Sequence, residues 1–243
     1  MLNRYESLLP EEYLRDKIEG KKILVMGSGP SVNERNWAAL DFDYIVTVSF
    51  WYNRQDLLDR SDILFTAYSN LVDLSNSKLQ SYLDTHDTIV GLEENSHSFY
   101  STLGFKNFKK KYESRYINFW TRHHSDALYI GLAGRLIFFM LNFNPSTLYY
   151  IGVDGSSNNH KSDPGNAFRP NYRLEIYPGG SGVHSVDDIK KGNLDMARII
   201  HLESKAKGIS IYNLGEGLPY NMSGEYSKIH YPLTKDILKF IQK

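Results

Sequence analysis

Six short apolar runs, spaced by segments of helical periodicity, constrain this chain more than any other feature. They are Lys22 to Met26 (KILVM), Tyr44 to Phe50 (YIVTVSF), Asp62 to Ala67 (DILFTA), Thr88 to Leu92 (TIVGL), Thr147 to Val153 (TLYYIGV) and Ile209 to Leu214 (ISIYNL). Their continuous Val, Ile, Leu and Tyr content is the pattern of strands covered on both faces. A leading helix stops at Gly20, and further helices are expected over Asn33–Leu40, Leu71–Leu83, Ser125–Phe143, Ser185–Lys207 and Leu233–Phe240. The basic, aromatic stretch 93–118 (with FKNFKKKYESRY) reads as a helical excursion. Strands alternating with helices predict a single doubly wound, mostly parallel, Rossmann-like α/β sheet with helices on both faces. One domain is expected over 1–243, with a long lid loop inserted at about 155–183. Ligands of such a sheet bind outside the carboxyl ends of its strands.

Composition narrows the function classes. Lys plus Arg and Asp plus Glu number 28 each, so no overall field draws the chain to nucleic acid. Cysteine is absent, which removes disulfides, thiolate metal sites and Cys nucleophiles, and fits a cytoplasmic location. The opening MLNRYESLLPEEYLRD lacks the apolar core of a secretory signal, and the longest apolar run, Leu136 to Leu141, is too short to span a bilayer. The 18 tyrosines suit recognition of polar ligands, although each alone also fits the edge of a core.

Three places combine residue types that carry chemistry. The first is the turn after the opening strand, Gly27-Ser28-Gly29-Pro30-Ser31. Two glycines bend the chain where a Cβ would clash, and amides with Ser28 and Ser31 hydroxyls suit phosphate or ribose oxygens. Val32 stands where a dinucleotide fingerprint needs its third glycine, and no Gly-Lys-Ser follows, so it is neither that motif nor a Walker loop. A nucleotide cradle and a plain strand-to-helix turn both fit.

The second is Tyr149 to His160 (YYIGVDGSSNNH), where a buried strand ends in Gly152, Val153 and Asp154. Asp154 at a strand's carboxyl end is placed for a ligand, or it closes an Asp-Gly turn. Asp154, His160 and Asp163 also form an unspecific metal pattern, and no metal is expected.

The third is Gly182 to Asp195 (GVHSVDDIKKGNLD). Ser185 with Asp188 resembles a capping box, which puts His184 just ahead of a helix N-terminus. The positive helix end favours a neutral imidazole, as a general base requires; Asp187 and Asp188 pull the other way. An ordinary loop histidine fits the same position. The lid between these places carries Arg169, Tyr172, Arg173 and Tyr177, suited to a phosphate or carboxylate.

In this order the pieces resemble the bacterial sialyltransferases of glycosyltransferase family 42. The run comprises the Gly-x-Gly-Pro-Ser turn, a strand ending in Gly-x-Asp, a lid, and His-Ser opening a helix. The wider group of motility-associated glycosyltransferases and archaeal 6-hydroxymethylpterin diphosphokinases, the DUF115-like proteins, shares the turn. The resemblance implies a GT-A-like fold, with Gly27 to Ser31, Ser125, Gly152 and Asp154 against a donor nucleotide. It further implies that His184 deprotonates the acceptor hydroxyl and that Tyr172 and Tyr177, with Arg173 beside them, stabilise the leaving phosphate. Transfer would invert the sugar and require no metal or other cofactor. The partners implied are a nucleotide-sugar donor and a glycan or small-molecule acceptor, with peripheral membrane association and self-association left open. Two positions depart from the pattern: Ser28 and Ser49 stand where the family has asparagines that touch the donor. The donor is therefore open between cytidine monophosphate-sialic acid and another activated sugar. A diphosphokinase-like enzyme using ATP and Mg²⁺ held by Asp154 and Asp163, or a non-catalytic ligand-binding member, are the alternatives.

Overall fold

The computed structural model describes residues 8–29, 31–34, 36–68, 73–92, 103–118, 132–153, 200 and 202–215. Seven strands form one sheet, every pairing parallel: β1 (Lys22–Met26), β2 (Tyr44–Val48), β3 (Ile63–Tyr68), β4 (Ile89–Leu92), β5 (Tyr116–Asn118), β6 (Thr147–Ile151) and β7 (Ser210–Asn213). Their order across the sheet is β5-β4-β3-β2-β1-β6-β7. The helices are α1 (Leu8–Ile18), α2 (Ser31–Glu34), α3 (Gln55–Leu58), α4 (Ser77–Thr85), α5 (Leu103–Lys111) and α6 (Leu132–Leu141). Residues 202–206 are also helical and end at Gly208, whose φ of 67° is the left-handed stop.

The expected α/β architecture is the observed one, and its strands are buried as their composition requires. Ile23, Leu24, Val25, Met26, Ile45, Val46, Phe65, Val90, Leu148 and Ile151 are fully enclosed. The most apolar helix, α6, buries Leu136, Ile137, Phe139, Met140 and Leu141, each worth roughly 1.5–3 kcal/mol of transfer free energy. Its Phe139 ring meets Phe65 of β3 at 5.3 Å between centroids, which seats α6 over the middle of the sheet.

Three local expectations change. The helix expected over Asn33–Leu40 is instead the four-residue α2 and a 3-10 turn at Trp37–Ala39. The buried Trp37 indole donates to the Val32 carbonyl at 3.2 Å, taking the acceptor that the Asn36 amide would need to continue the helix. The Leu71–Leu83 helix starts later, at Ser77, because Asn76 caps it by accepting from the Lys78 and Leu79 amides. The 93–118 excursion contains α5 but also a strand, β5, at the sheet edge. Residues 125–131 and 233–240 lie outside the described residues.

The order of strands locates the site. From β1 the chain steps outward through β2, β3, β4 and β5, then returns to the other side of β1 as β6 and β7. The direction of winding reverses between β1 and β6. In an open parallel sheet that reversal opens a crevice at the carboxyl ends.

Candidate functional site

Both glycine-bearing motifs arrive at this reversal. Gly27 follows the last residue of β1 and Gly152 the last residue of β6. The Gly27 amide donates to the Ile151 carbonyl at 2.8 Å, and the Gly29 amide to the Gly152 carbonyl at 2.8 Å. In return the Gly152 amide donates to the buried Ser31 Oγ at 2.9 Å. A Cβ on Gly27 would stand 2.4 Å from the Gly152 carbonyl oxygen, so no larger residue fits. Gly152 has φ of 71°, and a Cβ there would meet Val32 Cγ2 at 2.7 Å as well as the Gly27 carbonyl.

The inner side of the turn is therefore closed against β6. The amides of Gly27 and Gly29, expected from sequence to face a ligand, donate instead to the neighbouring strand, and the Ser31 oxygen accepts from it. α2 has only four residues, too short for a helix macrodipole to add much at this turn. Ser28 and Gly29 are half-buried, the least enclosed of the turn's described residues.

Beside the turn, β2 ends at the same rim. Thr47 Oγ1 donates to the Met26 carbonyl at 3.2 Å, tying β2 to β1 one residue below Gly27. Ser49 follows with φ of 54°, and its amide donates to the Ala67 carbonyl at 2.8 Å. A left-handed serine is uncommon, and such backbone concentrates at ligand sites. Arg54, in the loop after β2, grips Asp56 with Nε at 3.0 Å and Nη2 at 2.6 Å while Nη1 donates to Asn33 Oδ1 on α2. This clamp ties the segment after β2 to α2, the helix that follows the turn. In the sequence Arg54 carries no signal beyond its Arg-x-Asp spacing.

The structure thus brings together Gly27, Ser28, Gly29, Ser31, Ser49 and Gly152 at one rim. Pro30, Ser125, Asp154, Tyr172, Arg173, Tyr177 and His184 lie outside the described residues, as do His160, Asp163 and Arg169. Among the described residues no three His, Cys, Asp or Glu side chains gather as metal ligands. No helix among them is long and apolar enough to cross a membrane.

A seven-stranded parallel sheet reversing between its first and sixth strands is an α/β fold that this chain shares with sialyltransferases. The monofunctional α-2,3-sialyltransferase Cst-I of Campylobacter jejuni superposes with a TM-score of 0.54 at 14% identity, over 89% of this chain and 81% of that one. The sialyltransferase CstII of Campylobacter jejuni, in complex with cytidine-5'-monophosphate, gives 0.54 at 15% identity over 89% of each chain. CstII with a trisaccharide acceptor and CMP gives 0.51 at 15% identity, over 92% of this chain and 90% of that one. At these identities the likeness is one of fold. No protein-family model matches the chain, and no curated protein matches it in sequence.

Proposed function

We propose that the chain is a nucleotide-sugar-dependent glycosyltransferase, sialyltransferase-like, that binds its donor at the β1–β6 rim. The observation that carries this reading is the junction of Ser31 with Gly152, 121 residues apart, at the reversal of the sheet. The two motifs that the family resemblance assigns to the donor meet there, in a fold shared with CMP-binding sialyltransferases. With the inner amides committed to β6, the nucleotide contact falls to the outer side of the turn, at Ser28, and to Ser49 beside it.

The reaction in this reading is a single displacement. The acceptor hydroxyl oxygen bonds to the anomeric carbon as the bond from that carbon to the nucleotide phosphate breaks, inverting the centre. His184 takes the hydroxyl proton, and the phosphate leaves with the bonding electrons, its charge met by Tyr172, Tyr177 and Arg173. Ser125 and Asp154 complete the donor pocket. No metal takes part.

Thermal shift against cytidine monophosphate, uridine diphosphate, and ATP with and without Mg²⁺ tests this, because a ligand of the native state raises the melting temperature. A mono- or diphosphate that stabilises without metal supports the transferase. Stabilisation by ATP only with Mg²⁺ would replace it with a diphosphokinase, and no response to any of them would leave a non-catalytic fold.

A further inference from the structure

Asn213 is the last residue of β7 and is 5% exposed. Its Oδ1 accepts a hydrogen bond from the Gly215 amide at 2.9 Å, whereas its buried Nδ2 has no hydrogen-bond partner among the described residues. Folded chains seldom leave a buried amide donor unmet, because the group has lost water and gained nothing in exchange. The bond to Gly215 fixes which end of the carboxamide is oxygen, so the orphan is a donor.

Its place in the sheet says what that donor is near. Asn213 pairs with Tyr150 of β6, and Tyr150 pairs with Val25 of β1, so the three form one row across the sheet. Gly152 and Gly27 stand two residues further along those strands, about 7 Å nearer the rim. An amide carries no charge and makes an ordinary hydrogen bond, which suits a neutral acceptor better than a phosphate.

We infer that Asn213 is a ligand-recognition residue, its Nδ2 donating to an uncharged acceptor (a base carbonyl, a ring nitrogen or a sugar hydroxyl) of the nucleotide held at the β1–β6 rim. The inference rests on the transferase reading and adds to it a specificity contact from β7, the strand beyond β6 from β1. Sequence offers no sign of it, since an Asn before Leu-Gly reads as a strand end.

The test is calorimetric titration of the full chain with whichever of cytidine monophosphate, uridine diphosphate and guanosine diphosphate binds the wild type most tightly. Asn213→Asp keeps the shape and the acceptor for the Gly215 amide but loses the donor. Asn213→Ser withdraws the donor by shortening the side chain, adds no charge, and its hydroxyl oxygen can still accept from Gly215. Both variants are expected to bind the nucleotide about tenfold more weakly, and Asn213→Ser, which buries no charge, to melt near the wild type without ligand. Wild-type affinity in both would overturn the inference and assign the amide to a buried water. Weak binding by the Asp variant alone would also overturn it, as charge repulsion. If the wild type binds none of the three nucleotides, the transferase reading fails first and the inference falls with it.

Discussion

Gly27 and Gly152 lie backbone against backbone across the reversal of the sheet: a Cβ on either would come within 2.5 Å of the other's carbonyl oxygen. Neither neighbouring atom is the end of a flexible side chain, so an added methyl must push two strands apart. Gly152→Ala also forces an L-residue to φ of 71°. We expect Gly152→Ala to cost about 3 kcal/mol and Gly27→Ala about 2 kcal/mol in urea unfolding, with less than additive loss in the double variant.

Ser31 holds the same junction by hydrogen bonding. Ser31→Ala leaves the Gly152 amide without its side-chain acceptor in a buried setting. The expected loss is about 1–3 kcal/mol by chemical denaturation. A loss below the measurement error would show that water reaches the amide and that the turn is not closed as described.

Ser49 gives a prediction of opposite sign. Its φ of 54° suits glycine and asparagine better than serine. Ser49→Gly and Ser49→Asn should leave stability unchanged or raise it slightly, whereas Ser49→Val should lower it by about 1–2 kcal/mol. The asparagine result bears on the family resemblance as well, since asparagine is the residue expected after the second strand there.

A pH prediction comes from the core. Burial pushes the Tyr82 phenol from 10.0 up to about 12, and its hydroxyl donates to the Arg60 carbonyl at 2.8 Å. A pKa raised by folding means the native state holds its proton more tightly than the unfolded chain. The associated stability is whole below pH 10.0 and is lost as pH climbs toward about 12. The slope is about 1.4 kcal/mol per pH unit for one such tyrosine. Denaturant titrations across that range should show a shallower alkaline decline in Tyr82→Phe than in the wild type.

How far the sequence reveals this molecule depends on how local each cause is. β1 runs over the five residues KILVM as expected, because a continuous apolar run bounded by Lys22 and Gly27 has few alternatives. β5 is not legible in the sequence because three residues, Tyr116 to Asn118, cannot establish a period within a basic stretch. The break after α2 depends on one indole reaching one carbonyl, and the end of β2 on one left-handed serine. The motifs of the candidate site were legible one by one. Their meeting at one rim follows from the doubly wound pattern; their direct backbone contact and the commitment of the turn's amides to β6 do not, since both arise only when strands remote in the chain become neighbours.

The central claim is that a nucleotide sits against the outer face of the Gly27–Ser31 turn, and a charge placed there tests it most directly. Ser28→Glu puts a carboxylate on a half-buried residue of the turn, where the account sets a phosphate-bearing ligand. In calorimetric titrations with the nucleotide that stabilises the wild type best, the account predicts that affinity falls at least about tenfold while the ligand-free melting temperature is kept. Unchanged affinity in a folded Ser28→Glu variant would contradict it.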